Sequence, residues 1–401
     1  MDLAEIDLAD PDSFVAGTPH HWFEALRQQD PVHWHAEPRG PGFWCITKYD
    51  DLRFVSRNPQ LFSSWLGGTN IHDVPEEVLP RLRMLMLNMD PPQHVKFRRI
   101  VQRGFTPRMV AAQEPHIREL ARRIVDAVAP RGEAEFVEEL AAELPLQVIC
   151  EMMGVPLEDR KLIFDLTNTM VGFDDPEFGG DEAKRMQASA QLFGYSMKLA
   201  ERFKAEPAEN LTTSLLRGEV DGENLSELEY ASFFLLLCVA GNETTRTVTS
   251  NGYKLLLEHP EQLALLAREP ARIPVAVEEI LRFEPAVHYF RRTATEDVEL
   301  RGKTIRKGQK VVIWYPSANR DGERFTDPDR FDVTRADNEH LTFGIGEHFC
   351  LGANLARLEL NLIFEELVTR LRNPRLVAEP RRLRSNFING VKEMRIAFDP
   401  S

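Results

Sequence analysis

The chain has no paired cysteines. Cys45, Cys150, Cys238 and Cys350 are its only four in 401 residues, and they are widely scattered. That argues against a disulfide framework and against the short Cys spacings of a zinc knuckle. Positive charge is short as well: 49 Lys and Arg stand against 63 Asp and Glu, a formal net charge of −14. Such a balance disfavours a general nucleic-acid or anionic-membrane surface. The N-terminus, MDLAEIDLAD, lacks the basic-then-apolar pattern of a secretory leader. The most apolar run, ASFFLLLCVAG at 231–241, is too short to span a bilayer. A cytoplasmic protein without a membrane anchor is the expectation. Internal repeats, low-complexity tracts, Ser/Gly linkers, phosphate-cradling glycine loops and dinucleotide-type βαβ alternation are all missing.

What is present is a helical protein with a large core. Hydrophobic residues make up 43% of the chain, too many for a disordered one. Apolar residues three and four apart predict a helix near 19–29 and mostly helix from about 91 to 270. Aromatic and β-branched runs predict strands around 31–47, a hairpin over 298–314, and short closing strands in FING and MRIAF. The fold class expected is mainly α (α+β) with small sheets.

Two stretches conflict with their local structure. Ser226-Glu227-Leu228-Glu229 is a capping-box pattern, and helical spacing continues from it to about His259-Pro260. The middle of this long helix reads Ala240-Gly241-Asn242-Glu243-Thr244-Thr245. A mid-helix glycine costs roughly 1 kcal/mol against alanine, and a buried acid costs more. The glycine is expected to open the helix, and Thr244 to hydrogen-bond back to the carbonyl of residue 240. An acid beside an alcohol suits proton delivery, with the hydroxyl holding a water or bound species and the carboxylate exchanging protons with solvent. A kinked helix with satisfied polar groups is the plain alternative.

The second stretch, FGIGEHFCLGANLARLELNL at 343–362, puts a lone cysteine before an amphipathic helix whose Leu351, Leu355, Leu358 and Leu362 share a face. A helix N-terminus favours a thiolate. Gly344, Gly346 and Gly352 let backbone approach something flat and bulky. Three roles for Cys350 are open: a buried structural thiol, a nucleophile with His348 as base, or a metal ligand. Thiolate ligation of haem iron needs one axial cysteine in a close-fitting loop.

These residues resemble a known family. Phe343-Gly344-Ile345-Gly346-Glu347-His348-Phe349-Cys350-Leu351-Gly352 resembles the haem-ligand signature of the cytochromes P-450. Ala240-Gly241-Asn242-Glu243-Thr244-Thr245 resembles that family's oxygen-activating helix motif, and Glu279-Ile280-Leu281-Arg282 its Glu-x-x-Arg motif. The resemblance covers essentially the whole chain. It implies one prism-shaped, mostly helical domain over 1–401, holding haem b (iron protoporphyrin IX) with Cys350 as axial thiolate, and Phe343, Gly344 and Gly352 in the haem loop. It implies propionate contacts from His94, Arg98, Arg292 and His348, and a structural triad of Glu279, Arg282 and Arg330. Lys96, Arg99 and Arg103 are read as facing outward, where they would receive an acidic ferredoxin supplied by its NAD(P)H-dependent reductase.

The reaction implied is monooxygenation with O2, with Thr244 and Glu243 as catalytic residues. By correspondence, Leu236, Val239, Ala240, Val287 and Phe387 line the space above the haem, and 64–90 forms a mobile entrance. Segments such as ELPLQVICEMMGVP, FFLLLCVAGNETTR and LRSNFINGVKEM are similar to actinobacterial enzymes that ω-hydroxylate methyl-branched lipids and cholesterol side chains. The rival readings are a hydroxylase of terpenoids or linear fatty acids, and a non-catalytic haem-binding sensor.

Overall fold

A computed structural model describes the chain apart from residues 39, 173, 179–181 and 221. The helix His20–Gln29 and the strands Val32–His35 and Phe43–Ile46 lie where the pattern places them. The largest sheet runs in the order Val32–His35, Phe43–Ile46, Lys310–Trp314, Tyr289–Ala294, Phe62–Ser63. Lys310–Trp314 is parallel to Phe43–Ile46 and antiparallel to Tyr289–Ala294, which sets Val311 opposite Arg292.

The segment 298–314 is more than the single hairpin expected. Val298–Leu300 and Lys303–Ile305 form the hairpin, turned by Arg301 and Gly302 at positive φ. Lys310–Trp314 then leaves it to become an interior strand, since all five of its residues are buried and an unbroken buried run belongs in a sheet covered on both faces. FING is not a strand either. Only Ile388 makes a bridge, to Val287. That bridge carries His288 N–H to Phe387 O at 2.8 Å and Asn389 N–H to Ala286 O at 2.9 Å, and beside it the Asn386 and Asn389 amides bond to the carbonyls of Leu8, Ala9 and Pro285 and to the Glu284 carboxylate.

The central helix, Glu227–Glu258, crosses the largest core cluster. Both halves of its capping box form: Ser226 Oγ accepts the Glu229 N–H at 3.2 Å, and the Glu229 carboxylate takes the Ser226 N–H at 2.8 Å. Gly241 does not open this helix, which stays helical throughout. A Cβ there would meet Ile149 at 2.9 Å, so the glycine lets the Glu143–Met153 helix approach. Ala353–Arg370 follows the cysteine. Leu355 and Leu362 are buried on it and Leu351 and Leu358 half-buried. Leu360, Ile363, Phe364 and Leu367 are buried as well, so its apolar surface is broader than one stripe. Among the described residues no helix is long and apolar enough to cross a membrane.

Candidate active site

The cysteine loop is closed by its own backbone. Cys350 N–H donates to the Phe343 carbonyl at 2.8 Å, and Gly344 N–H to Leu341 O at 2.8 Å. Gly344 and Gly346 have φ of +70° and +79°, a region that strains other residues. At Gly346 a Cβ would also lie 2.7 Å from the Ser56 carbonyl. Gly352 differs, because a Cβ there would meet nothing within 4 Å.

Cys350 is half-buried. Burial raises its thiol pKa, against the backbone N–H groups of Gly352 and Ala353 and the charges of Arg98 and Arg357. The helix terminus therefore opposes the shift without reversing it. Coordination to a metal is what would hold this sulfur as a thiolate.

Around the loop, four groups gather from separate elements. His94 and Arg98 come from the Gln93–Val101 helix, Arg292 from its strand and His348 from the turn before the cysteine. The His94 and His348 rings are 4.3 Å apart. Arg98 donates to the Phe349 carbonyl at 2.6 Å and to Glu347 O at 3.4 Å. Arg292 is buried and donates to the Arg291 carbonyl at 2.8 Å. His94 is buried with no partner at Nδ1. Burial, then Arg98 and Arg292, brings the His94 pKa down to about 4. Burial, then Arg292, His94 and Arg98, depresses His348 as well, so its contact is a neutral imidazole rather than a cation.

These residues fit a haem. Arginines held on carbonyls beside an orphaned imidazole suit two propionates, and the open side of Gly352 admits a flat macrocycle next to the sulfur.

Above this level the central helix turns one stripe to open space. Leu236, Val239 and Thr244 are half-buried and Ala240 is exposed, although Leu237, Cys238, Asn242, Glu243 and Thr245 between them are buried. Val239, Val287 and Phe387 pack together against Val171, Leu383 and Ile388. Thr244 Oγ1 donates to the Ala240 carbonyl at 2.6 Å. The buried Glu243 carboxylate pairs with Arg246, whose other end donates to Asn168 Oδ1 at 2.7 Å. Glu243 and Arg246 line a small cleft with Asn168, Phe178 and Lys392.

The triad needs correction. Glu279 and Arg282 form a fully buried bidentate pair at 2.7 and 2.8 Å. The second arginine on Glu279 is Arg335, with Nε 3.2 Å from the carboxylate, and not Arg330. Arg330 gives only its carbonyl, to Arg282 and Arg335, while its side chain is 68% exposed and 3.8 Å from Asp332. Sequence reading also passed over Arg246, although it directly follows the Thr-Thr pair one turn from Glu243.

The entrance segment is tied down more than expected. Asp90 closes its base on Ser63 Oγ and Ser64 N–H, at 2.5 and 2.8 Å. Arg291 binds the Asp73 carboxylate at 2.6 Å and donates its N–H to Thr69 O at 2.8 Å. Arg99 and Arg103 are exposed, as the outward reading has them, whereas Lys96 is half-buried.

Comparison with known proteins gives the same picture. A sequence model described as Cytochrome P450 matches residues 73–386. A steroid C26-monooxygenase of Rhodococcus jostii is 40% identical over 98% of this chain and 84% of its own. A methyl-branched lipid omega-hydroxylase of Mycobacterium tuberculosis is 44% identical over 94% of this chain and 90% of its own. Among solved structures, a Mycobacterium marinum cytochrome P450 in complex with pseudoionone superposes with a TM-score of 0.91 at 37% identity, covering 98% of each chain.

Proposed function

The chain belongs to the cytochrome P450 family, and on that premise we propose that it hydroxylates a terminal methyl of a methyl-branched lipid or steroid side chain, with electrons from a ferredoxin. As a family member it is a haem-thiolate monooxygenase, and the haem, once bound through Cys350, supplies the activation of O2.

The observation that carries the substrate reading is the open stripe of the central helix. Leu236, Val239 and Ala240, with Val287 and Phe387, present only apolar surface, which favours a hydrocarbon and displaces water. The names of the relatives agree with such a substrate. Thr244 donates its proton to the Ala240 carbonyl, so its lone pairs face outward as acceptors for a hydrogen bond from the reacting group. Glu243, one residue earlier, reaches solvent through the cleft it lines with Arg246, and so can renew the proton.

Thr244→Ala should let electron consumption continue while product per electron falls by about tenfold or more. Coupling at the wild-type level would refute the assignment. Cholestenone, a methyl-branched fatty acid and a linear fatty acid, turned over side by side, test the substrate class. A preference for the linear acid, or for a terpenoid such as pseudoionone, would favour the rival reading.

The ferredoxin assignment is supported by the Gln93–Val101 helix, since Arg98 ties this helix to the cysteine loop and Arg99 and Arg103 are exposed at its end. Charge complementarity there would mainly raise the association rate. Reversing the charges of Arg99 and Arg103 should slow reduction by an acidic ferredoxin, and unchanged rates with every such donor would remove the patch from the mechanism. A cytoplasmic location accompanies this electron supply.

A further inference from the structure

Behind the cysteine loop lies a charge arrangement for which the proposed chemistry has no use. Glu278, next to Glu279 on the Ile273–Phe283 helix, takes Arg357 bidentately, with Nε at 2.7 Å and Nη2 at 2.9 Å. Arg357 sits on the helix that follows the cysteine, and its guanidinium lies over the Phe343 ring, 4.5 Å from the centroid. Phe343 is the residue whose carbonyl accepts the Cys350 N–H.

His340 completes the cluster. Its Nδ1 accepts the Thr342 N–H at 3.2 Å, and its Nε2 is 3.1 Å from the Glu278 carboxylate. The single ring proton is thereby placed on Nε2, and the imidazole is neutral. Burial lowers the His340 pKa, in keeping with that state. Burial alone would raise Glu278, but hydrogen bonds from His340 and Arg357 hold its carboxyl at about 2. The cluster is therefore one anion and one cation, with the cation on Phe343. Arg357 is also among the charges that act on the Cys350 sulfur.

We propose that Arg357 and Glu278 set the electron affinity of the haem bound at Cys350, the cation favouring reduction and the carboxylate holding it on Phe343 while cancelling part of its charge. The inference rests on the reading of Cys350 as axial ligand. Reduction adds one negative charge to the haem–thiolate unit, so a nearby cation stabilises the reduced form and an anion opposes it. Hydrogen bonds and charges around a thiolate ligand are known levers on potential. The pair is about one-third exposed, so solvent screens it and the effect is modest.

The test is spectroelectrochemical titration of the haem-loaded enzyme and its variants, alongside the carbon monoxide difference spectrum of each. Arg357→Leu should lower the midpoint potential and Glu278→Gln should raise it, each by about threefold in the ferric–ferrous equilibrium, or roughly 30 mV at 59 mV per tenfold for one electron. Arg357→Leu combined with Glu278→Leu should return close to the wild-type potential. Arg357→Lys, which keeps the charge without the fork, should recover most of the Arg357→Leu shift. Shifts of the same sign in both single variants, or no shift in either, would overturn the inference, since a packing defect has no reason to change sign with the charge removed. A wild-type carbon monoxide band away from the thiolate position would instead bring down the reading of Cys350, and this inference with it.

Discussion

Replacing Arg335 and Arg330 in turn separates the observed network from the one the sequence suggests. The Glu279 carboxylate is fully buried and accepts from Arg282 twice, from the Asp332 N–H at 3.0 Å, from Asn338 Nδ2 at 3.1 Å and from Arg335. Arg335→Ala removes one charged contact and the donors to the Thr326, Asp327 and Arg330 carbonyls. Glu279 would keep Arg282, so no buried charge is orphaned, and exposed carbonyls can turn to water. A hydrogen bond to a charged group contributes about 1.5–3 kcal/mol, and a loss of about 2–3 kcal/mol is expected. Arg330→Ala removes a side chain that is 68% exposed with a 3.8 Å ion pair, and should change stability by less than about 0.5 kcal/mol. Arg282→Ala leaves Glu279 without its bidentate partner and should cost the most, about 3–5 kcal/mol. Equilibrium denaturation of the haem-loaded variants, followed by tryptophan fluorescence and by the haem band, ranks the three. A larger loss from Arg330→Ala than from Arg335→Ala would refute the argument.

His94 gives a pH dependence whose sign is fixed. Burial, with Arg98 and Arg292, lowers its folded-state pKa from 6.5 to about 4, so between these values the unfolded chain binds more protons. Stability of the haem-free chain is full above about pH 6.5 and should fall by up to about 3 kcal/mol as pH drops toward 4; propionates should lessen the loss, and a haem-free profile flat between pH 7 and 5 would contradict this. The loop glycines should part company. Gly346→Ala forces a Cβ against the Ser56 carbonyl at positive φ and should destabilise the polypeptide by about 1–3 kcal/mol. Gly352→Ala meets no protein atom, so it should leave polypeptide stability alone while speeding haem loss to an acceptor globin. Equal haem retention in wild type and Gly352→Ala would remove that glycine from the haem contact.

Much of the fold was legible because its signals are local. The capping box at Ser226 and the stop before His259-Pro260 fixed both ends of the central helix. The lone cysteine between glycines marked the loop for the same reason, since glycine adopts the positive φ of Gly344 and Gly346 without strain. What could not be read depends on side-chain direction. Arg330 and Arg335 lie five residues apart in one irregular segment, and the chain turns between Thr326 and Pro328 through Asp327 at φ +46°. That geometry sends the Arg330 carbonyl inward and its side chain out. Nor does hydrophobicity say that Lys310–Trp314 deserts its hairpin, because the choice is made by the strands on either side, far away in sequence. FING keeps only a single bridge, with His288 N–H on Phe387 O and Asn389 N–H on Ala286 O, and the partner segment that limits it lies far away in sequence.

The costly middle of the central helix shows how one element can satisfy opposed demands. Its glycine is there for Ile149, its threonine hydroxyl bonds to its own helix, and its acid is neutralised by Arg246. These arrangements leave the open stripe apolar except at Thr244. The opposite side is less settled. Asn242 is buried with both amide atoms unpartnered, and Glu359 is buried beside Thr245 with Oε1 unpartnered and its pKa pushed up to about 8 by burial. A carboxyl in that state is neutral at physiological pH and can donate as well as accept. Buried polar atoms of this kind are ordinarily completed by ordered water. The helix thus divides a dry face that suits a hydrocarbon from a polar seam that suits water. A residue sequence that is poor as a helix is what allows both faces on one backbone.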